Sequence, residues 1–224
     1  MKKLTSSLAL CLGLLTASGS HANLIAADGG MTVYDADANL YWLANANTAK
    51  TSGYDTDGYM TWAGAQSWIT SLNTASYLGY SDWRLPTTLQ PDATCDSQSG
   101  GISFGYNCTG SEMGNLFYNE LGGAAGSSIL TTHNADLALF NNVQSFSYWS
   151  GTEYAPNTDG AWTFSTNHGG QGAYYKNVYL FAWAVRPGQV AAAPGNVPEP
   201  GTEWLLGIGL LGLMGMARRR LALR

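Results

Sequence analysis

Two rhythms of apolar and polar positions run along the chain, and the change between them divides it. Trp62, Ala65, Trp68, Ile69 and Leu72 recur at spacings of three and four, the period of one helical face. Gln66, Ser67, Thr70 and Asn73 fall on the other side. Thr61 supplies a capping hydroxyl and Gly79 ends the segment, so a helix is predicted from Thr61 toward Gly79. A second helical pattern starts at Ser111 and Glu112, with Met113, Leu116, Phe117 and Leu121 on one face and Gly122-Gly123 as the stop. The Glu112 carboxylate near that helix start is favourably placed for the helix dipole.

Elsewhere the pattern is short, aromatic and β-branched. Met31–Tyr34 and Leu40–Leu43 predict two strands around an Asp- and Asn-rich turn. Ser147–Ser150, Ala161–Phe164, Ala173–Lys176 and Phe181–Val185 predict four more, and their spacing of about ten residues predicts one antiparallel meander. The predicted class is α+β: two helices packed on short antiparallel sheets. Between the helical and strand-rich halves lies Gly79-Tyr80-Ser81-Asp82-Trp83-Arg84-Leu85-Pro86-Thr87. Pro86 holds Leu85 extended, and Trp83 and Leu85 alternate with Arg84 as in a half-buried strand. Asp82, Trp83, Arg84, Leu85 and Pro86 therefore form a structural corner, with Arg84 expected to pair with its neighbour Asp82.

The two ends follow a different logic. Lys2 and Lys3 precede an apolar run, and Ser20-His21-Ala22 sets small side chains at the cleavage positions, so residues 1–22 are expected to be a secretory signal peptide cut between Ala22 and Asn23. Residues 23–190 form one domain and 191–197 a linker. Residues 198–224 carry Pro198-Glu199-Pro200, an apolar run from Trp204 to Ala217, and Arg218, Arg219 and Arg220. That run reaches about 21 Å as a helix, short of the roughly 30 Å hydrocarbon core. It suits a transient span with the Arg cluster on the cytoplasmic side.

Export changes the meaning of the cysteines. Of three, Cys11 lies in the signal segment, which leaves Cys95 and Cys108 as an even pair in an oxidising compartment, expected to form a disulfide. Charge narrows the partners. Residues 23–190 hold Lys50, Arg84, Lys176 and Arg186 against thirteen acidic side chains, which excludes a nucleic-acid partner. Seven of the eight Trp and all 13 Tyr lie in the same stretch, a packed rather than a disordered composition.

Candidate chemistry is sparse. Asp55 and Asp57 match the opening of a calcium loop, but no further acidic ligand follows at the required spacing, so a plain turn is the preferred reading. Glu112, Glu120 and Glu153 show no pairing of the kind a glycosidase needs. His133 and His168 have no second His or Cys at ligand spacing. Gly207, Gly209 and Gly212 spell a dinucleotide motif without the strand before it. No catalytic residue and no cofactor is expected.

Leu40-Tyr41-Trp42, Met60-Thr61-Trp62-Ala63, the Gly79–Thr87 stretch, Tyr148-Trp149-Ser150-Gly151-Thr152 and Ala184-Val185-Arg186-Pro187 occur in this order. Together they resemble the Lcl C-terminal-like family (domain of unknown function 1566) over roughly residues 31–188. The resemblance implies a C-type-lectin-like fold and, from the family's better-known members, adhesion to sulfated or other polysaccharides. One departure stands out: the residues from Thr88 to Gly110, with the cysteine pair, delay the second helix. The tail resembles the PEP-CTERM sorting signal of exopolysaccharide-producing Gram-negative bacteria. That resemblance implies processing by an exosortase in the inner membrane, then delivery to the cell surface or extracellular matrix. The expected protein is an exported surface or biofilm-matrix protein whose lectin-like domain binds a polysaccharide through its later Tyr- and Trp-rich loops. An extracellular enzyme acting on polysaccharide, or a purely structural matrix protein, are the alternatives.

Overall fold

A computed structural model describes residues 24–188. The expected signal segment with Ala22 and Asn23, the linker, Pro198-Glu199-Pro200, the apolar run Trp204–Ala217 and Arg218–Arg220 lie outside the described residues. Within them, three strands come first: β1 (Leu24–Ala27), β2 (Thr32–Asp35) and β3 (Leu40–Leu43), joined as antiparallel neighbours. Val33, Leu40, Trp42 and Leu43 turn into the core, which explains why these short segments hold their register. A single helical turn, α1 (Thr48–Thr51), leads to the main helix α2 (Trp62–Thr74).

Helix α2 follows its pattern closely. Thr61 accepts a hydrogen bond from the Gly64 N–H, and Ala65, Trp68, Ile69 and Leu72 are buried. It stops five residues earlier than Gly79. Ser76 and Leu78 adopt left-handed backbone, and a short 3-10 turn covers Tyr77–Gly79. The Asn73 side chain replaces further helical bonding: it accepts from the Trp83 N–H and donates to the Trp83 carbonyl. The corner is thereby stitched to the end of the helix.

The stretch from Thr88 to Gly110 contains a hairpin, β4 (Ser97–Ser99) and β5 (Ile102–Phe104), turning at Gly100-Gly101. Both glycines have positive φ, 58° and 80°, as the tight primed turns require. The second helix is only one α-turn, α3 (Glu112–Asn115), continuing as a π segment over Leu116–Glu120. Its predicted face is nevertheless buried: Met113, Leu116, Phe117 and Leu121. Gly114 sits where a Cβ would collide with the Cys108 carbonyl, so the disulfide loop packs directly on this element.

The last third gives β6 (Ser147–Glu153), β7 (Gly160–Ser165), β8 (Gly170–Tyr175) and β9 (Val185–Pro187). Here the expected four-stranded meander is corrected to three strands, in the order β6-β7-β8. The fourth does not join it: β9 crosses to pair with β3, making the first sheet β1-β2-β3-β9. Leu180 to Arg186 is buried throughout, because this segment runs through the core between the two sheets rather than along an edge. It bridges to Met60, Tyr148 and Arg84 on the way.

The core sits where these elements meet. Trp183 packs edge-on against Trp42 and Phe140, at 5.4 and 5.2 Å, and donates its indole N–H to the Leu43 carbonyl. Trp149 donates to the Met60 carbonyl. Trp42 and Trp68 are buried with their indole nitrogens unpartnered, so aromatic packing, more than hydrogen bonding, holds this cluster together. No helix of the described residues is long and apolar enough to cross a membrane.

Candidate functional site

The corner carries Arg84, one of four basic side chains between residues 23 and 190. Arg84 exchanges two backbone hydrogen bonds with Val185, at 2.8 and 2.9 Å, so the strand-like corner joins the start of β9. Trp83 and Leu85 are buried beneath it and Pro86 is buried beside them. The expected Arg84–Asp82 pair is corrected: both terminal nitrogens of Arg84 meet Glu112 of α3 at 2.7 Å. Glu112 also accepts from the Thr87 N–H. The planar fork of Arg84 meets both carboxylate oxygens of Glu112, a geometry stronger than a single contact to Asp82 two residues away. The side chains remain 33% and 19% exposed. Arg84→Ala is therefore expected to cost about 1–2 kcal/mol, between the values of exposed and buried pairs; urea unfolding of the variant measures it.

Asp82 instead lies 3.8 Å from Arg186, which is buried and sandwiched between the rings of Tyr41 and Tyr80. Arg186 ties the corner to the first sheet, and neither Arg is free to receive an anion in the open. The corner is a joint, not a binding site.

The other expected ligands are similarly engaged. Asp55 accepts from the Asp57 and Gly58 N–H groups, and Asp57 from the Tyr59 N–H, so both carboxylates close the turn. Those backbone bonds outweigh partial desolvation and hold the Asp55 carboxyl below its usual range. Cys95 and Cys108 are joined to each other. Asp92 approaches both sulfurs, yet it accepts from the Thr94 hydroxyl and from the Thr94 and Gly110 N–H groups, and no free thiolate is present to ligate a metal. His133 Nδ1 bonds the Ile129 carbonyl, and His168 Nδ1 accepts from the Gly170 N–H. Glu153 pairs with Lys176, whose ammonium lies 4.5 Å from the centre of the Trp62 ring. With Glu112 held by Arg84 and Glu120 buried, the three glutamates occupy three unrelated environments.

The surface that is open lies elsewhere, along strand β8. Two adjoining depressions, of about 310 and 400 Å3, share Tyr154 and Ala173. Tyr154, Asn157, Gly160, Ala173, Tyr174 and Tyr175 line the first. Ser99, Ile102, Phe104, Trp162 and Gly172 complete the second, so one wall is the disulfide-closed hairpin. Tyr174 and Tyr175 are 52% and 63% exposed, and Phe104 is 41% exposed. The hydroxyls of Tyr154, Tyr174 and Tyr175 and the amide nitrogen of Asn157 have no bonding partner among the described residues. Tyr154 is held edge-on against Trp162 at 5.3 Å.

This corrects the expectation for the aromatic loops. The tyrosines are available, but Trp149, Trp162 and Trp183 are buried and serve packing. The hairpin wall was not foreseen. Its signal was present in Gly100-Gly101, a tight-turn pair between two short runs, but the runs Ser97-Gln98-Ser99 and Ile102-Ser103-Phe104 are too polar to stand out.

Two family models match. The Lcl C-terminal domain covers residues 31–186, and the PEP-CTERM protein-sorting motif covers residues 196–220. No curated protein matches the chain. The chain belongs to the Lcl C-terminal domain family. Its sorting motif makes it an exported surface protein sorted by an exosortase in the membrane, and neither family is an enzyme family.

Proposed function

We propose that this member of the Lcl C-terminal domain family is a surface or exopolysaccharide-matrix adhesin, whose β8 groove binds a glycan. The observation that carries the reading is the groove itself: exposed tyrosines beside unpaired hydroxyl and amide groups on a rigid sheet. Aromatic faces stack on the apolar faces of sugar rings, and a few fixed polar groups orient the hydroxyls. Each depression falls within the range of about 300–1,000 Å3 of ligand pockets.

We also read the α+β architecture as C-type-lectin-like. Support comes from helices packed against short antiparallel sheets and from β1 and β9 lying in one sheet, near the two ends of the described chain. In this proposal the signal peptide is cut between Ala22 and Asn23, and residues 23–190 form the binding domain. The linker 191–197 leads to the sorting motif at Pro198-Glu199-Pro200. The run Trp204–Ala217, with Arg218–Arg220 on the cytoplasmic side, holds the chain in the inner membrane of a Gram-negative bacterium until an exosortase processes it.

The test is retention of the purified protein on exopolysaccharide from such a bacterium. The unaltered chain is expected to be retained, and the double change Tyr174→Ala with Tyr175→Ala to weaken retention about tenfold, from the loss of stacked rings at about 0.5–1.5 kcal/mol each. Equal retention of both proteins, with the melting temperature unchanged, removes the groove from the proposal.

A further inference from the structure

The cleft between the hairpin and β8 has an origin in backbone register. Gly105 and Gln171 exchange two hydrogen bonds, at 2.9 and 2.7 Å, which docks the hairpin on the outer edge of β8. Continued antiparallel, that pairing would next set Ser103 opposite Ala173. It does not continue. The Ser103 N–H donates to Gln90 Oε1, and its carbonyl accepts from Gln90 Nε2 and Gln171 Nε2. With the Ser103 backbone held by two glutamine side chains, the hairpin departs from the strand and the second depression opens between them.

Ala173 is left with an unpaired edge. Because Gln171 bonds outward to Gly105, the strand period of two turns the Ala173 N–H and carbonyl outward as well, and they have no partner among the described residues. Ala173, which both depressions share along with Tyr154, therefore presents one backbone donor and one acceptor at the junction.

Charge is absent from this surface. No residue lining either depression is ionisable to a cation or carboxylate. Of the basic side chains in the described residues, Arg84 and Lys176 are paired, Arg186 is buried and Lys50 is exposed on α1. The nearest charges in sequence are Glu153 and Asp159, on either side of Tyr154 and Asn157, and Lys176 after Tyr175, itself paired with Glu153. A polyanion would meet acidic groups and no free cation.

Resting on the glycan reading of this groove, we infer that its ligand is an uncharged, extended glycan that crosses both depressions. Ala173 bonds its hydroxyls through the backbone at the junction, Tyr154 stacks a ring there, and Tyr175 stacks another in the first depression. Backbone groups on a fixed edge distinguish hydroxyl geometry without needing charge, and the two depressions require a linear segment rather than a single sugar.

Titration of the purified full chain with cellohexaose, mannohexaose and dextran, against dextran sulfate in a second arm, tests this. Saturable binding of a neutral glycan, insensitive to added salt, is expected. Ala173→Pro removes the outward N–H and fixes the local φ, a change edge strands tolerate, and is expected to weaken that binding about tenfold. Tyr175→Ala is expected to weaken it several-fold. If Ala173→Pro loses its near-ultraviolet circular dichroism, Tyr175→Ala alone decides: undiminished binding by it overturns the inference. Binding of dextran sulfate with the neutral glycans ignored also overturns it while leaving the glycan reading intact. Silence in both arms, or binding only of an alternating Thr-Val peptide along the strand edge, overturns the inference and the glycan reading together.

Discussion

Raising the pH from 4 to 8 is expected to weaken the folded domain by about 3 kcal/mol through Glu120 alone. Glu120 ends the π segment after α3 and is 3% exposed. Burial is the main reason its carboxyl is pushed from 4.5 up to about 7. The carboxylates of Asp35, Asp37 and Asp136 add repulsion, against one weak bond of 3.5 Å from the Asn115 amide. The other Glu120 side-chain oxygen is buried without a partner. Between these two values the folded protein keeps the proton and the unfolded chain has released it. Stability is therefore highest below about 4.5, falls as the pH rises through 7 and is flat above, as far as this group decides it. Asp35, also buried and raised, acts in the same direction, while Asp55 acts oppositely and only in acid. Glu120→Gln keeps the shape and removes the titration. At pH 8 the variant is expected to melt roughly 6–12 °C above the parent, with the difference vanishing near pH 4. A parent whose melting temperature rises steadily from pH 5 to 8 would show Glu120 to be ionised at no cost. Proteolysis at fixed temperature gives the same comparison independently.

The burial of Glu120 was legible in the sequence. It stands three, four and seven residues after Phe117, Leu116 and Met113, so the helical period already sets it on the buried face. Its lack of a strong partner there was not legible, because that depends on which elements pack over the face. Helix α2 was legible because its face repeats at 3.6 residues with an unambiguous cap at Thr61. Strands β7 and β8 were legible because aromatic residues sit between clear turns. The Arg84–Glu112 pair was not, since 28 residues separate the partners and nothing local prefers Glu112 to Asp82. Nor was the crossing of β9 to the first sheet. A run such as Phe181-Ala-Trp-Ala-Val185 that is buried on all sides has the same pattern whichever sheet it joins. The same cause hid the groove. Tyrosine content suggested a platform, but which aromatics face solvent follows from pairing across β6, β7 and β8 and from the docking of the hairpin.

Breaking the Cys95–Cys108 link, by Cys95→Ser with Cys108→Ser, is expected to lower stability by about 2–3 kcal/mol, from the chain entropy released over a separation of 13 residues. The larger consequence is local. The hairpin inside this loop buries little apolar surface, with Ile102 partly exposed and Phe104 open. It is held by polar bonds: Asp92 to Thr94 and Gly110, Gln98 to the Asp92 carbonyl and the Ser103 hydroxyl, and Gly105 to Gln171. Each is worth about 1 kcal/mol once water competes, so the uncrosslinked hairpin opens below the global unfolding temperature. The expected signature is twofold: a melting temperature lower by roughly 4–12 °C, and new protease cleavage confined to residues 95–108 while the sheets stay protected. Glycan retention should fall with that cleavage, because Phe104, Ile102 and Ser99 form one wall of the groove and β8 alone offers only the other. Retention preserved in a nicked, reduced protein would move the binding surface off the hairpin and onto the tyrosines of β8. An unchanged cleavage pattern would show that the buried Asp92–Ser103–Gln171 network holds the hairpin without the disulfide.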